Sequence, residues 1–151
     1  MVNEDYMRLA LELAAEALAD DEVPVGCVII RKGELVGKGR NRREKQKNAL
    51  AHAEIEAINE ACLKLGGWRL PQCSMYVTLE PCPMCAGAII NARIEKVCFG
   101  AYDSKSGALG SVLNLFEHEF NHKPDIQGGI LREECSKLLT EFFKNLRRSK
   151  K

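Results

Sequence analysis

The sequence predicts an α/β fold of three layers, α/β/α, with helices on both faces of a mixed central sheet of about five strands. Two observations carry that expectation. Apolar residues recur at helical spacing in some segments and in short strand-like runs in others, in the order α-β-β-α-β-α-β-(β)-α. The first two strands form a hairpin, whereas the later ones alternate with helices. A hairpin implies antiparallel pairing at one side of the sheet; strand–helix alternation implies parallel strands with right-handed crossovers at the other. The 151 residues fit one domain, 1–151, and no repeat, low-complexity segment or linker divides them.

Each element follows from local chemistry. Asn3 is placed to cap a first helix running to about Asp20, with Met7, Ala10, Leu11, Ala14 and Leu18 as its apolar stripe. Pro24 ends the following turn. VGCVIIR reads as a strand, KGE as a tight turn and LVGKG as the hairpin partner. Arg42 to Leu50 is a polar, basic loop. AHAEIEAINEACLKLGG is a helix with Ile55, Ile58, Cys62 and Leu65 on one face, stopped by Gly66-Gly67. SMYVTLE is a strand, and PCPMCAGAIINA starts a helix with proline in its first turn, where a missing N–H costs nothing. KVCFGAY is a fourth strand. GALGSVLNLF is irregular or briefly helical, NHKPDIQGG holds a short fifth strand, and ILREECSKLLTEFFKNLRR is a closing amphipathic helix.

Composition narrows the function classes. No apolar run approaches the roughly 20 residues of a membrane span, so no membrane partner is expected. The first ten residues, MVNEDYMRLA, are acidic and carry no charged-then-apolar leader. Seven cysteines, an odd number at irregular spacing, argue for a reducing compartment; a cytoplasmic location is expected. The net charge of +1 identifies no partner. The stretch GKGRNRREKQK (37–47) holds six basic residues and one acid. It reads equally as a solvated loop or a nucleic-acid contact, and the basic tail FFKNLRRSKK as a solvated helix end.

The chemistry concentrates in LEPCPMC (79–85) and AHAE (51–54). Cys82 and Cys85 are three apart and share a face in a first helical turn, where the dipole favours the thiolate that binds metal. His52 is the natural third ligand. In sheets of this kind ligands lie beyond the strand carboxyl ends, next to helix N-termini, where all three fall. Residues two apart do not share a helix face, so His52 and Glu54 converge only if they sit at a helix entrance. Two thiolates and one imidazole leave a tetrahedral zinc ion one corner for water, the mark of a catalytic site. Zinc brings the pKa of such a water to about 7. Glu54 is then the candidate proton carrier. Other readings exist. A redox Cys-x-x-Cys pair leaves the His-x-Glu element unexplained. A closed structural zinc site needs a fourth ligand, for which His118 and His122 in HEFNH are the available imidazoles, or they form a separate metal pair. Cys27, Cys62, Cys73, Cys98 and Cys135 lie in apolar patterns and read as small buried hydrophobes.

The pair HAE (52–54) and PCPMC (81–85) resembles the H-x-E…P-C-x-x-C signature of the zinc-dependent cytidine/deoxycytidylate deaminase superfamily. EVPVGCVI, GRN, AHAE, YVTLEPCPMCAGAIINARIEKVCFGAYDSKSGALGS and FNH extend the resemblance over nearly the whole chain, to the superfamily's tRNA-specific adenosine deaminase branch. The resemblance implies a cytidine deaminase-like fold, one Zn²⁺ per subunit on His52, Cys82 and Cys85, and Glu54 as the proton shuttle. It implies hydrolysis of adenosine to inosine at the wobble position (34) of a tRNA anticodon stem-loop, by a homodimer, with no DNA partner. It further implies that Asn41 hydrogen-bonds the flipped nucleotide and that Val25, Gly26, Ala51 and Leu79 line the base pocket. By the same resemblance Asp103 is expected to contact the neighbouring nucleotide and Lys105 a phosphate; from the residues alone, Asp103 reads as a turn former. The helix after Pro81, small and apolar in AGAIINA, is expected near the dimer interface. The alternatives are a small-molecule deaminase of the same superfamily, acting on guanine, cytosine or a nucleotide, and a non-catalytic zinc module that binds RNA.

Overall fold

Successive residues of a strand point to opposite faces of its sheet, and that alternation sets the layers here. The computed structural model describes residues 2–149. Its elements run α1 (Asn3–Ala19), β1 (Gly26–Arg31), β2 (Glu34–Arg40), α2 (Arg43–Gln46), α3 (Ala53–Leu65), β3 (Cys73–Leu79), α4 (Pro83–Ala92), β4 (Lys96–Ala101), a 3₁₀ turn (Leu115–Glu117), β5 (Asp125–Gln127) and α5 (Arg132–Ser149). The strands form one sheet in the order β2-β1-β3-β4-β5. β1 is antiparallel to β2 and β3; β3–β4 and β4–β5 are parallel. The expected mixed five-stranded sheet is therefore present. Cys27, Ile29, Met75, Val77, Val97 and Phe99 face one core, shared with Ala57 and Ala61 of α3 and Ala86 and Ile89 of α4. Val28, Ile30, Tyr76 and Cys98 face the other, shared with Tyr6, Met7 and Ala10 of α1 and Cys135 of α5. No helix among the described residues is long and apolar enough to cross a membrane.

Three local expectations are corrected. Asn3 does not cap α1. It is the first helical residue; the backbone N–H of Val2 donates to the Asp5 carboxylate at 3.0 Å, while the Asn3 side chain accepts from the Tyr76 hydroxyl at 2.8 Å and ties the helix to β3. The loop from Arg42 to Leu50 is interrupted by the short helix α2. On α3 the expected face is core-facing at Ile58, with Cys62 and Leu65 half-buried against it, but the fully buried stripe is Ala53, Ala57 and Ala61, and Ile55 is only half-buried. The cause is a close approach of backbones. A Cβ on Gly37 or Gly39 of β2 would overlap the carbonyl oxygens of Ala57 and Ala53, so only alanine fits along the contact line. The same holds at Gly26, where a side chain would meet the Ala10 carbonyl oxygen of α1. The hairpin turn is as expected, with Lys32 and Gly33 both at positive φ (51° and 77°), and Gly66 ends α3 at φ 75°.

Candidate active site

The parallel pair β3–β4 ends at Leu79 and Ala101, and the chain leaves β3 through Glu80 and Pro81 into α4. Cys82 is the N-cap of α4, Pro83 its first residue, and Cys85 lies three positions on from Cys82. His52 is the N-cap of α3 and Glu54 lies in its first turn. Both helix entrances face the same end of the sheet. The ligand atoms of His52, Cys82 and Cys85 lie within 4.8 Å of one another. His52 Nδ1 is 3.4 Å from Cys85 Sγ and 3.7 Å from Cys82 Sγ. Zinc bonds of about 2.3 Å to sulfur and about 2.05 Å to nitrogen imply a tetrahedral S···N edge of roughly 3.6 Å. The three side chains therefore stand at the spacing that one such ion requires, and their donor chemistry suits it. His118 and His122 do not join them. His118 is exposed beyond the 3₁₀ turn, and His122 Nε2 lies 2.6 Å from the Ile94 carbonyl oxygen.

Electrostatics bind the four groups together. The Cys85 thiol donates to Cys82; against the cost of burial, this contact and the imidazole hold Cys82 at about 4, in the thiolate form. Cys85 is pushed up, first because it carries the proton for Cys82 and then by burial and the Glu54 charge. The contact with Cys82 raises His52 against the effect of burial. Glu54, only 4 % exposed, is raised to about 7, chiefly by burial. A carboxyl at that value gives and takes a proton readily at neutral pH. Cys27 lies close enough for the Glu54 charge to add to the effect of burial in raising its thiol. All seven cysteines are unpaired.

The other residues singled out in the sequence sit at strand ends or in the loops beside them. Val25, Asn41 and Ala51 are joined through the backbone, Asn41 N donating to Val25 O at 3.1 Å and Arg42 N to Ala51 O at 3.0 Å. The buried Asn41 amide donates to Val23 O at 3.2 Å and accepts from Arg43 N at 3.2 Å, so it also shapes its own loop. Gly26 N donates to the buried Thr78 hydroxyl at 3.1 Å, at the end of the β1–β3 ladder. Leu79 ends β3, half-buried. The Asp103 carboxylate accepts from the N–H groups of Lys105 (3.0 Å) and Ser106 (3.1 Å), the turn that its local sequence suggests, and the Lys105 side chain is exposed. Much of the basic loop's charge is engaged locally: Arg40 pairs with Asp20 at 3.2 Å, Arg42 with Glu56 at 2.9 Å and Lys45 with Asp20 at 3.7 Å.

Two buried carboxylates escaped the sequence reading. Glu22 accepts from the N–H groups of Glu44 (3.0 Å) and Lys45 (2.8 Å), fixing the loop that follows Asn41. Glu80 accepts from the backbone of Asp103, Leu109 and Ser111 and from the Ser111 hydroxyl. Burial alone would raise its pKa; the hydrogen bonds outweigh it and hold Glu80 below the ordinary carboxylate value. An acid next to Pro and Cys reads as a surface residue, and nothing in its neighbours' identities reveals donors some 20 to 30 positions away.

Comparison with known proteins agrees with this geometry. The family model of MafB19-like deaminases matches residues 1–147. A tRNA-specific adenosine deaminase of Bacillus subtilis is 47% identical over 150 residues, covering 99% of this chain and 93% of the relative. A solved structure from a study of A-to-I editing by tRNA:A34 deaminases at the wobble position superposes with a TM-score of 0.86 at 42% identity, over 89% of this chain and 99% of that one. A guanine deaminase of Bacillus subtilis reaches a TM-score of 0.65 at 39% identity, over 68% and 66%. Matched along its whole length at the first of these levels, and with an imidazole, two thiols and a buried carboxyl gathered at one end of its sheet, this chain belongs to the deaminase family, in the branch of the tRNA-specific adenosine deaminases.

Proposed function

We propose that this chain hydrolyses adenosine to inosine at the wobble position (34) of a tRNA anticodon stem-loop, releasing ammonia. One observation carries the reading: a buried Glu54 stands beside a His52/Cys82/Cys85 trio in a chain similar over its full length to tRNA-specific adenosine deaminases. His52 Nδ1 and the sulfurs of Cys82 and Cys85 would hold one Zn²⁺, which when bound supplies a Lewis acid that makes water nucleophilic at neutral pH. Glu54 moves the protons. Its carboxylate takes one from the water that adds at C6 of adenine and passes it to N1; it then takes the second from the new C6 hydroxyl and delivers it to the amine, which departs as ammonia while the C6 carbonyl forms. Burial of Glu54 favours its protonated form and so supports both roles.

Asn41, Val25, Gly26, Ala51 and Leu79 form the rim and wall that receive the flipped base, with Asp103 and Lys105 on the adjoining nucleotides. Swinging a base out costs a few kcal/mol and is cheapest in an open loop, which suits an anticodon. Residues 1–151 act as one domain in the cytoplasm. The active form is a homodimer joined through α4, whose outer face carries exposed Pro83 and Asn91, and where a side chain on Gly87 would meet nothing within 4 Å.

The experiment is mass analysis of nucleosides after incubation with an anticodon stem-loop, free bases and nucleosides. Inosine at the first anticodon position is expected. Turnover of free guanine or cytosine, with none in the stem-loop, would overturn the reading in favour of a small-molecule deaminase.

A further inference from the structure

The segment between β4 and the 3₁₀ turn contains no helix or strand, yet it carries Asp103 and Lys105. Its shape is imposed by one side chain. Glu80 is buried, and its two oxygens receive four hydrogen bonds. Oε1 accepts from Asp103 N at 3.1 Å and from the Ser111 hydroxyl; Oε2 accepts from Leu109 N at 3.0 Å and Ser111 N at 3.1 Å. An ionised carboxylate is an acceptor only, with about four lone-pair sites, so the cage is filled. Gly107 is part of it: a Cβ there would overlap the Glu80 carboxylate, so the loop closes around the charge only where no side chain stands. Ala108 N donates to the Pro81 carbonyl at 2.9 Å, one residue before Cys82. The entrance of α4 and the loop from 103 to 111 are thus joined through Glu80 and its neighbour.

We propose that Glu80 is a positioning residue for substrate: its carboxylate holds the 103–111 loop in the shape that presents Asp103 to the nucleotide beside the target, and so governs binding of the stem-loop rather than the chemical step. The inference rests on the deaminase reading above. Glutamine cannot replace Glu80, because its NH₂ would face backbone N–H groups that have no other acceptor in the cage.

The test is steady-state kinetics on an anticodon stem-loop, with zinc content and, in a Glu54→Ala background, stem-loop affinity by fluorescence anisotropy. Glu80→Gln is expected to raise KM and Kd about tenfold or more while kcat stays within about threefold and zinc remains stoichiometric. Combined with Asp103→Ala, it should add little to that variant's own effect, since both remove one contact. Ser111→Ala deletes a single donor and should raise KM in the same direction by a smaller factor, which decides the matter if Glu80→Gln does not fold. Unchanged KM and Kd in a folded, zinc-loaded Glu80→Gln, or in Ser111→Ala where only that variant folds, overturns the inference, as does full additivity with Asp103→Ala. Wild-type protein that makes no inosine in the stem-loop overturns the functional reading, and the inference falls with it; wild-type activity with indifferent Glu80 variants overturns the inference alone.

Discussion

Glu54 and the trio of His52, Cys82 and Cys85 differ in what they ask of the fold, and substitutions separate them. Glu54 is close to Cys85 and Cys82 but supplies no ligand atom to the trio. Glu54→Gln keeps its volume and removes its proton chemistry. Inosine formation is expected to fall about 10³-fold, within the range of a lost general acid–base, with zinc retained; nucleoside mass analysis beside metal analysis checks both. Cys85→Ala removes the fully buried thiol of the trio proposed to hold zinc. Zinc content should drop well below one per chain and activity with it, as it should in wild-type protein after chelation, where adding Zn²⁺ back restores turnover. Zinc loss in Glu54→Gln, or full activity after exhaustive chelation, contradicts these assignments.

At the level of elements, the site is positioned by small residues where helices lie directly on strands. Gly26 lets α1 approach the start of β1, and Gly37 and Gly39 let α3 approach β2. The last two contacts orient α3, whose entrance carries His52 and Glu54. Gly37→Ala is expected to destabilise by about 1–3 kcal/mol, the usual cost of overpacking, lowering Tm by several degrees in thermal unfolding. It should also reduce kcat, because the α3 entrance shifts with the helix. An unchanged Tm would show that the two backbones can part without cost. The short helix α2 has a comparable anchor in Glu22, which holds the loop after Asn41 although none of α2 itself is buried.

For the whole molecule the net charge of +1 gives no broad field toward RNA, so attraction must be local. Among the described residues Arg43 and Lys105 enter no ion pair, whereas Arg40, Arg42 and Lys45 do. Arg43 also lies near enough to His52 for its charge to act there. Stem-loop affinity should therefore fall with salt on a shallow slope, about 0.7 for each single-stranded phosphate contacted, and Arg43→Gln should reduce the slope by about that amount. A salt-independent Kd would exclude phosphate contacts. Dimer formation is read separately: wild type should elute and scatter light as a dimer, and Gly87→Arg, which puts a long charged side chain on the outer face of α4, as a monomer.

The sequence by itself determined the element order apart from α2, the mixed sheet and the ligand-type residues that LEPCPMC and AHAE carry, because strand and helix periodicities are local and metal-ligand types are few. It also stated the condition under which His52 and Glu54 can act together, a helix entrance, and the structure meets it. Tertiary structure alone decided what depends on distant backbones meeting. The most deeply buried line of α3 is Ala53, Ala57 and Ala61, with Ile58 beside it, because Gly37 and Gly39 bring two main chains together. Asn3 serves β3 instead of capping its helix. Glu80 finds its donors 23 to 31 residues further on. A buried carboxylate is stable only where N–H groups converge on it, and convergence of that kind is a property of the folded chain that no local pattern records.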